Sequence, residues 1–555
     1  MNRAWMKAVV GCGVLVLGLG AARGAADPDR DASLATVAER SGYAEATASE
    51  QVSALVGSLG RSRLVSAGSI GESAGGRAIP VMVIADPPVA WSVDGPGERG
   101  LGGRVPVLLF GSIHAGELCG TEALLMLARE IVASREGGQA QGLGAVLDEL
   151  VVLVVPVYNA DGHAAFGENN RPGQNGPAAM GERANAQGLD LNRDWVKMDA
   201  PETRAMVGVL NAWDPLVIVD THTTNGSNHR FTLTYQGPKH PAGSPVVLSY
   251  VRDVMLPRVD EAFEAATGYD AYFYGNFAEN HTKWTTYPAE PWYGVAYRGL
   301  RNRLSILTEA YAYASFEDRV LSTRAFCEAV LRYAAVNGRE IEQIVSVAET
   351  GELQRGRAGA PLAVKTEARA FAEPATILGY DEPVESGAHS LRAKIDFETT
   401  PAKDYEIPIL NNFVATEMVR RPAAYVVPRE ASEVIDRLRA HGVRLWGIGD
   451  GAAQEVEAVR YRVQTVETSE RVWQNRLMME LGVAPERGSL EVRRGDAIVV
   501  TAQPLGSLAS YMLEPRSTGG LAAWGFFNGL SAGDLFPVAR LDEAAFVALG
   551  LDDEE

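Results

Sequence analysis

The stretch Val105–Glu122, VPVLLFGSIHAGELCGTE, constrains the fold of this chain most strongly. Val105 to Phe110 is an apolar run the length of a buried strand. Gly111 and Ser112 interrupt it, and an apolar periodicity suited to a helix then runs from Thr121 to Val132. A strand-to-helix turn at a sheet edge is where α/β proteins place ligands and chemistry. His114 and Glu117 lie in this turn, three positions apart, so their side chains can converge on one point. Two readings of the pair stand. It is either a polar helix cap with a hydrogen-bonded histidine, or part of a zinc ligand set, which for catalysis needs a third protein ligand and an open position.

Similar placements recur along the chain. Leu150–Val157 (LVVLVVPV) is a second continuous apolar run, Leu216–Asp220 (LVIVD) a third and Leu304–Ala310 (LSILTEA) a fourth. Buried runs alternating with helical patterns predict a parallel or mixed sheet covered on both faces. His222 follows the third run directly and is the third ligand candidate. His163, His229, His240 and His281 fall in loops and lack this placement. Glu309, at the end of the fourth run, is a carboxylate in apolar surroundings that either pairs or works as an acid/base. The pattern H-E-x-x-H is absent, which excludes the helical zincins.

Gly71-Glu72-Ser73-Ala74-Gly75 formally matches the serine nucleophile elbow. That elbow runs from strand into helix. Here Gly75-Gly76 lead into Ile79–Ala85, another strand, so the stretch reads as a hairpin. Residues 158–188 form a long loop poor in hydrophobic periodicity, a feature associated with function in a compact domain.

Length and charge set the remaining bounds. A chain of 555 residues predicts two to four domains. Residues 1–26 read as a signal peptide: Arg3 and Lys7, the uncharged run Ala8–Gly20, then small residues from Ala22 to Ala26. The mature chain is expected to start near Ala25 or Asp27, to be exported to the periplasm or beyond, and to stay out of the membrane. Removing the three basic residues of this leader takes the formal charge from −19 to −22. Such acidity disfavours nucleic-acid binding. Cys119 and Cys327 allow one disulfide and exclude a disulfide framework. Residues 27–350 read as the catalytic domain and 351–375, which lack a clear period, as a linker. Residues 376–555 read as a C-terminal α+β accessory region of unassigned role. In it Ala423–Val427, the helix Glu430–His441 and Val443–Ile448 suggest a β-α-β unit.

These residues carry a family resemblance. Residues about 40–340 resemble the zinc carboxypeptidases of the carboxypeptidase A/E superfamily, the M14 metallopeptidases. The matching motifs are His114-x-x-Glu117, Arg183-Ala-Asn-Ala-Gln-Gly-Leu-Asp190-Leu-Asn192-Arg193, His222 after a strand, and Glu309 after a strand. The hairpin around Gly71–Ile79 also looks like a family motif. The resemblance implies an α/β/α sandwich around a mixed, mainly eight-stranded sheet. It implies one zinc on His114, Glu117 and His222 with water in the fourth position, and Glu309 as general base. It further implies that Arg183 polarises the scissile carbonyl, that Asn192 and Arg193 clamp a terminal carboxylate, and that Asp190 orients His114. Tyr287, twenty-two positions before Glu309, fits the capping tyrosine by spacing, with Tyr293 and Tyr297 close enough to compete. The expected activity is removal of C-terminal residues from peptides. The alternatives are a zinc amidohydrolase on cell-wall peptides or N-acyl amino acids, and a catalytically retired peptide-binding protein.

Overall fold

The computed structural model describes residues 34–97, 100–224, 226–382, 395–448 and 453–550. The expected leader, residues 1–26, and the acidic tail from Leu551 lie outside them.

An eight-stranded mixed sheet organises the first 350 residues. Its strands are β1 (Val65–Glu72), β2 (Ala78–Ile84), β3 (Val105–Gly111), β4 (Leu150–Val155), β5 (Val217–Thr224), β6 (Leu233–Gln236), β7 (Ala271–Phe273) and β8 (Leu304–Tyr311). Their order across the sheet is β1-β2-β4-β3-β5-β8-β6-β7. The central strands β4, β3, β5 and β8 run parallel; β2 lies antiparallel to both β4 and β1, and β6 lies antiparallel to β8, with β7 parallel to β6. β3 and β4 are buried at every position, which is why they read as unbroken apolar runs.

Alternation along the strands separates two cores. Val105, Val107 and Leu109 point to one face, with helices Ser49–Leu59, Cys119–Glu136, Leu256–Thr267 and Phe316–Val336 packed on it. Leu108 and Phe110 point to the other, where helix Pro201–Trp213 packs. That second core continues without a break into Tyr425, Val499, Tyr511 and Trp524 of the C-terminal region. One layer of the sandwich is therefore completed by residues far along the chain.

The structure corrects several expectations. β5 extends to Thr224, so His222 lies within the strand and not after it. Two helices follow β8, Phe316–Val336 and Gly338–Arg357, parted at Asn337. Residues 351–375 are no linker. The second helix runs through them to Arg357 and a strand covers Pro361–Ala370. The helix end buries only every third or fourth residue, and the strand is half-buried, so neither leaves a strong hydrophobic period. The strand Pro361–Ala370 pairs with Ile409–Arg420, which in turn pairs with Lys283–Thr285, so one small sheet joins the two regions. The β-α-β unit is not formed either. Val443–Ile448 contributes only a bridge at Trp446, and Ala424–Val427 pairs antiparallel with Ala497–Val500 and Ala539–Leu541. Cys119 and Cys327 are both buried and free, so the possible disulfide is absent.

Candidate active site

The C-terminal ends of β3, β5 and β8 bring the candidate residues together. His114 follows β3 on the turn that starts helix Cys119–Glu136, and Glu117 is held there by a backbone bond to His114 O at 2.9 Å. His222 on β5 is the register partner of Glu309 on β8. One ligand-type atom from each of His114, Glu117 and His222 lies within 4.8 Å of the others, and all three residues are buried.

The two imidazoles are oriented alike. Their Nδ1 atoms face each other at 3.3 Å, with Glu117 Oε1 at 3.0 Å from one and Oε2 at 3.0 Å from the other. Each Nε2 is backed by a carboxylate: Asp190 Oδ1 lies 3.0 Å from His114, and Asp220 Oδ1 lies 3.1 Å from His222. A carboxylate behind a ring nitrogen fixes the tautomer and leaves the other nitrogen free to ligate. Asp220 is itself paired with the buried Arg298 at 3.1 Å, whose guanidinium lies over the rings of Phe110 and Trp195.

This density of carboxylates sets the local electrostatics. Burial alone favours the neutral His222 ring, but Asp220 and Glu117 outweigh it and hold its pKa well above the usual imidazole value. Burial opposes ionisation of Glu117, yet His114 and Arg171 hold its carboxyl well below the ordinary range. Glu309 goes the other way, raised by burial against the pull of His222. A cation at the cluster would displace the imidazole protons and take over their role as counter-charge.

The remaining sequence candidates surround this cluster. Arg183 donates through Nε and Nη2 to Asp190 Oδ2 at 3.1 and 2.8 Å, and its Nη1 lies 3.6 Å from Glu117. Asn192 Oδ1 accepts from Gly294 N–H at 2.9 Å, which orients the side chain and leaves its NH2 group to donate to a ligand. Arg193 lies 4.3 Å over the Tyr293 ring. Tyr287 stands between Tyr274 and Tyr293, with ring centroids 5.3 and 4.9 Å away. Lys239 Nζ sits 3.5 Å over its ring. Its hydroxyl is buried without a partner among the described residues. Tyr297 is removed from the competition. It is fully buried and its hydroxyl bonds His441 Nδ1 at 2.7 Å, away from the cluster.

Other candidates stay apart. Ser73 caps the β1–β2 turn by donating to Asp161 at 2.8 Å. None of His163, His229, His240 and His281 joins the cluster; burial lowers the first to about 4 and the next two to about 3. The sequence reading missed Asp220, Arg298, Arg171 and Gln474. Asp220 was legible in principle, because residues two apart on a strand share a face. Arg171 donates to Glu117 Oε1 at 2.9 Å from within the long loop, and Gln474 accepts from Asp190 N–H at 2.8 Å; neither carries a local signal.

Comparison with known proteins shows what the chain is similar to. Residues 58–242 match the family model described as zinc carboxypeptidase, a span that contains His114, Glu117, Arg183, Asn192, Arg193 and His222. Carboxypeptidase 2 of Trichophyton rubrum is 21% identical over 485 residues, covering 85% of this chain and 81% of that protein. Carboxypeptidase D of Mus musculus is 31% identical over 183 residues, which cover 30% of this chain and 13% of its own. A metallo-carboxypeptidase structure from Burkholderia cenocepacia overlaps 52% of this chain and 69% of its own at 17% identity, with a TM-score of 0.39, too low to weigh in the assignment. Residues 58–242 thus match the zinc carboxypeptidase family model, and the chain is similar to a carboxypeptidase along most of its length.

Proposed function

We propose that the protein removes C-terminal residues from peptides with one zinc ion held by His114, Glu117 and His222. The observation that carries this reading is the convergence of those three ligand atoms beside Glu309. Two imidazoles and a carboxylate suit zinc and leave a coordination position open. When bound, the ion supplies Lewis acidity and lowers the pKa of its water.

The protein's own groups do the rest. Asp190 and Asp220 hold the Nε2 sides of the two ligand histidines. Glu309 accepts a proton from the attacking water and passes it to the leaving amine. Its raised pKa suits a group that must hold that proton between the two transfers. Arg183 places positive charge beside the cluster, where the scissile carbonyl oxygen gains negative charge. The Asn192 NH2 and the Arg193 fork receive the terminal carboxylate, a task that suits a planar guanidinium. Tyr287 closes over the bound residue. A substrate with a free carboxylate at its end is the partner this arrangement fits.

Export belongs to the same proposal and rests on the leader-like residues 1–26. Among the described residues no helix is long and apolar enough to cross a membrane. N-terminal sequencing of protein recovered outside the cytoplasm should give a start near Ala25 or Asp27, and an intact Met1 there contradicts it.

The central test uses one peptide as free acid and as C-terminal amide, with zinc measured by elemental analysis. The wild type should carry one zinc and cleave the acid far faster. His222→Ala should lose the metal. Equal rates on acid and amide would turn the reading towards an endo-acting amidohydrolase, and full zinc in His222→Ala removes the ligand set.

A further inference from the structure

The hairpin of strands Gln454–Thr468 and Met479–Val492 has an extended tip that reaches the catalytic region. Trp473 and Arg476 bond each other's backbones in both directions, at 2.8 and 3.0 Å, and enclose Gln474 and Asn475. Both enclosed residues are left-handed, with φ of 51° and 62°. Asn-Gly is the pair that such a tight turn prefers. A glutamine in its first position is strained, and strain of this kind persists where the surroundings over-determine it, commonly beside a functional site.

What Gln474 touches gives the strain a purpose. Its Oε1 accepts the Asp190 N–H at 2.8 Å, and the neighbouring Asn475 donates to Gln187 O at 3.2 Å. Asp190 is the hub of the site: it backs His114 through Oδ1, holds Arg183 through Oδ2 and lies 3.8 Å from Arg193. On the other flank Trp473 stacks on Trp524, with centroids 5.1 Å apart, and meets Trp292 edge-on at 5.5 Å. Trp292 adjoins Tyr293 at 6.1 Å, and Tyr293 carries Arg193 on its face. The tip thus braces the loop 187–193 at Asp190 and the aromatic support of Arg193 together.

We infer that Gln474 is a positioning residue of the active site, supplied by the C-terminal region, and that the site is incomplete without it. The inference rests on the zinc carboxypeptidase reading above. The Asp190 peptide precedes the short turn Leu191–Arg193, and its carboxylate also accepts from Asn192 N–H at 2.8 Å. A rotation of that peptide moves the carboxylate away from His114 and Arg183 at once. Outer partners of metal ligands typically govern metal affinity or activity by 10–100-fold.

The test uses three full-length variants. Gln474→Gly removes the acceptor and relaxes the left-handed turn. Gln474→Met keeps the length without the acceptor, and Gln474→Glu keeps an acceptor at the same reach. Each is measured for melting temperature, kcat and KM on a free-acid peptide, and zinc retention against a competing chelator. Gln474→Gly should melt no lower than the wild type, yet lose about tenfold in kcat and give up zinc at a lower chelator concentration. Gln474→Met should match it in kcat and zinc retention, and Gln474→Glu should recover most of both. A role confined to hairpin stability would move the melting temperature and would not separate Glu from Gly and Met. Wild-type kcat and zinc retention in both Gly and Met variants overturn this inference alone. Failure of the wild type to bind zinc or to prefer the free acid overturns the functional reading and this inference with it.

Discussion

At the residue scale, the site divides its labour by the surroundings of each carboxylate. Glu117 is ionised by the cations around it, whereas Glu309, partners in register with His222, is raised by burial. This split is what a ligand and a proton carrier need from the same chemical group. Glu309→Gln keeps the shape and cannot take a proton. It should retain full zinc by elemental analysis and lose roughly 10²–10⁴ in turnover. Near wild-type turnover in a zinc-loaded Glu309→Gln protein would assign the base elsewhere. Arg193 is tested by the acid-to-amide ratio. A hydrogen bond to a charged group contributes roughly 1.5–3 kcal/mol, so Arg193→Ala should lower kcat/KM on the free acid about 10–100-fold. The amide rate should barely change, so the preference collapses while the metal stays. A ratio unchanged from wild type excludes Arg193 from carboxylate recognition.

At the scale of elements, the site depends on how closely helix Cys119–Glu136 approaches β5. A Cβ on Gly120 would lie 2.0 Å from Thr221 Oγ1 and 2.9 Å from its Cβ. Thr221 is buried and its hydroxyl bonds Phe110 O at 3.1 Å, so it cannot give way. Gly120→Ala should push the helix off the strand, at a cost of about 1–3 kcal/mol, and shift Glu117 against His222. Denaturation midpoints should show Gly120→Ala combined with Thr221→Ala to be less unstable than the two single changes added, since the clash is shared. Strict additivity counts against this account. The same packing explains what was legible in the sequence. The central strands are buried on both faces and announce themselves as apolar runs, and His114 and Glu309 could be placed from their ends. Three-residue strands such as Asn276–Ala278 and Lys283–Thr285 have no room for a period, and the strand Pro361–Ala370 is too exposed to show one. Arg171 and Gln474 reach the site across 54 and 284 positions of sequence, and only the fold reveals such contacts.

At the scale of the whole molecule, the catalytic and C-terminal regions share one hydrophobic core and are fastened by a charged latch beside it. Asp199 of the catalytic region receives Arg476 through two bonds of 2.7 Å and Arg437 at 3.1 Å, both from the C-terminal region, and Lys197 at 3.2 Å. Burial works to raise the Asp199 pKa, but Arg476 and Lys197 outweigh it and bring it from 3.8 to about 2. A pKa lower in the folded than in the unfolded chain means that the folded state binds the proton more weakly. The stabilisation is therefore complete well above pH 3.8 and is lost as the pH falls through about 2. The shift corresponds to roughly 2 kcal/mol at neutral pH, of which about half is gone by pH 3. Asp199→Asn removes the titrating group and leaves Arg476 with Glu433, at 3.2 Å, as its remaining anion, so it should be less stable than the wild type at pH 6. Its deficit should narrow by about 1 kcal/mol between pH 6 and pH 3, because the wild type loses the latch over that range and the variant has none to lose. Denaturant midpoints of the two proteins across this range make the comparison, and a deficit that stays constant with pH shows that Asp199 does not fasten the two regions by its charge.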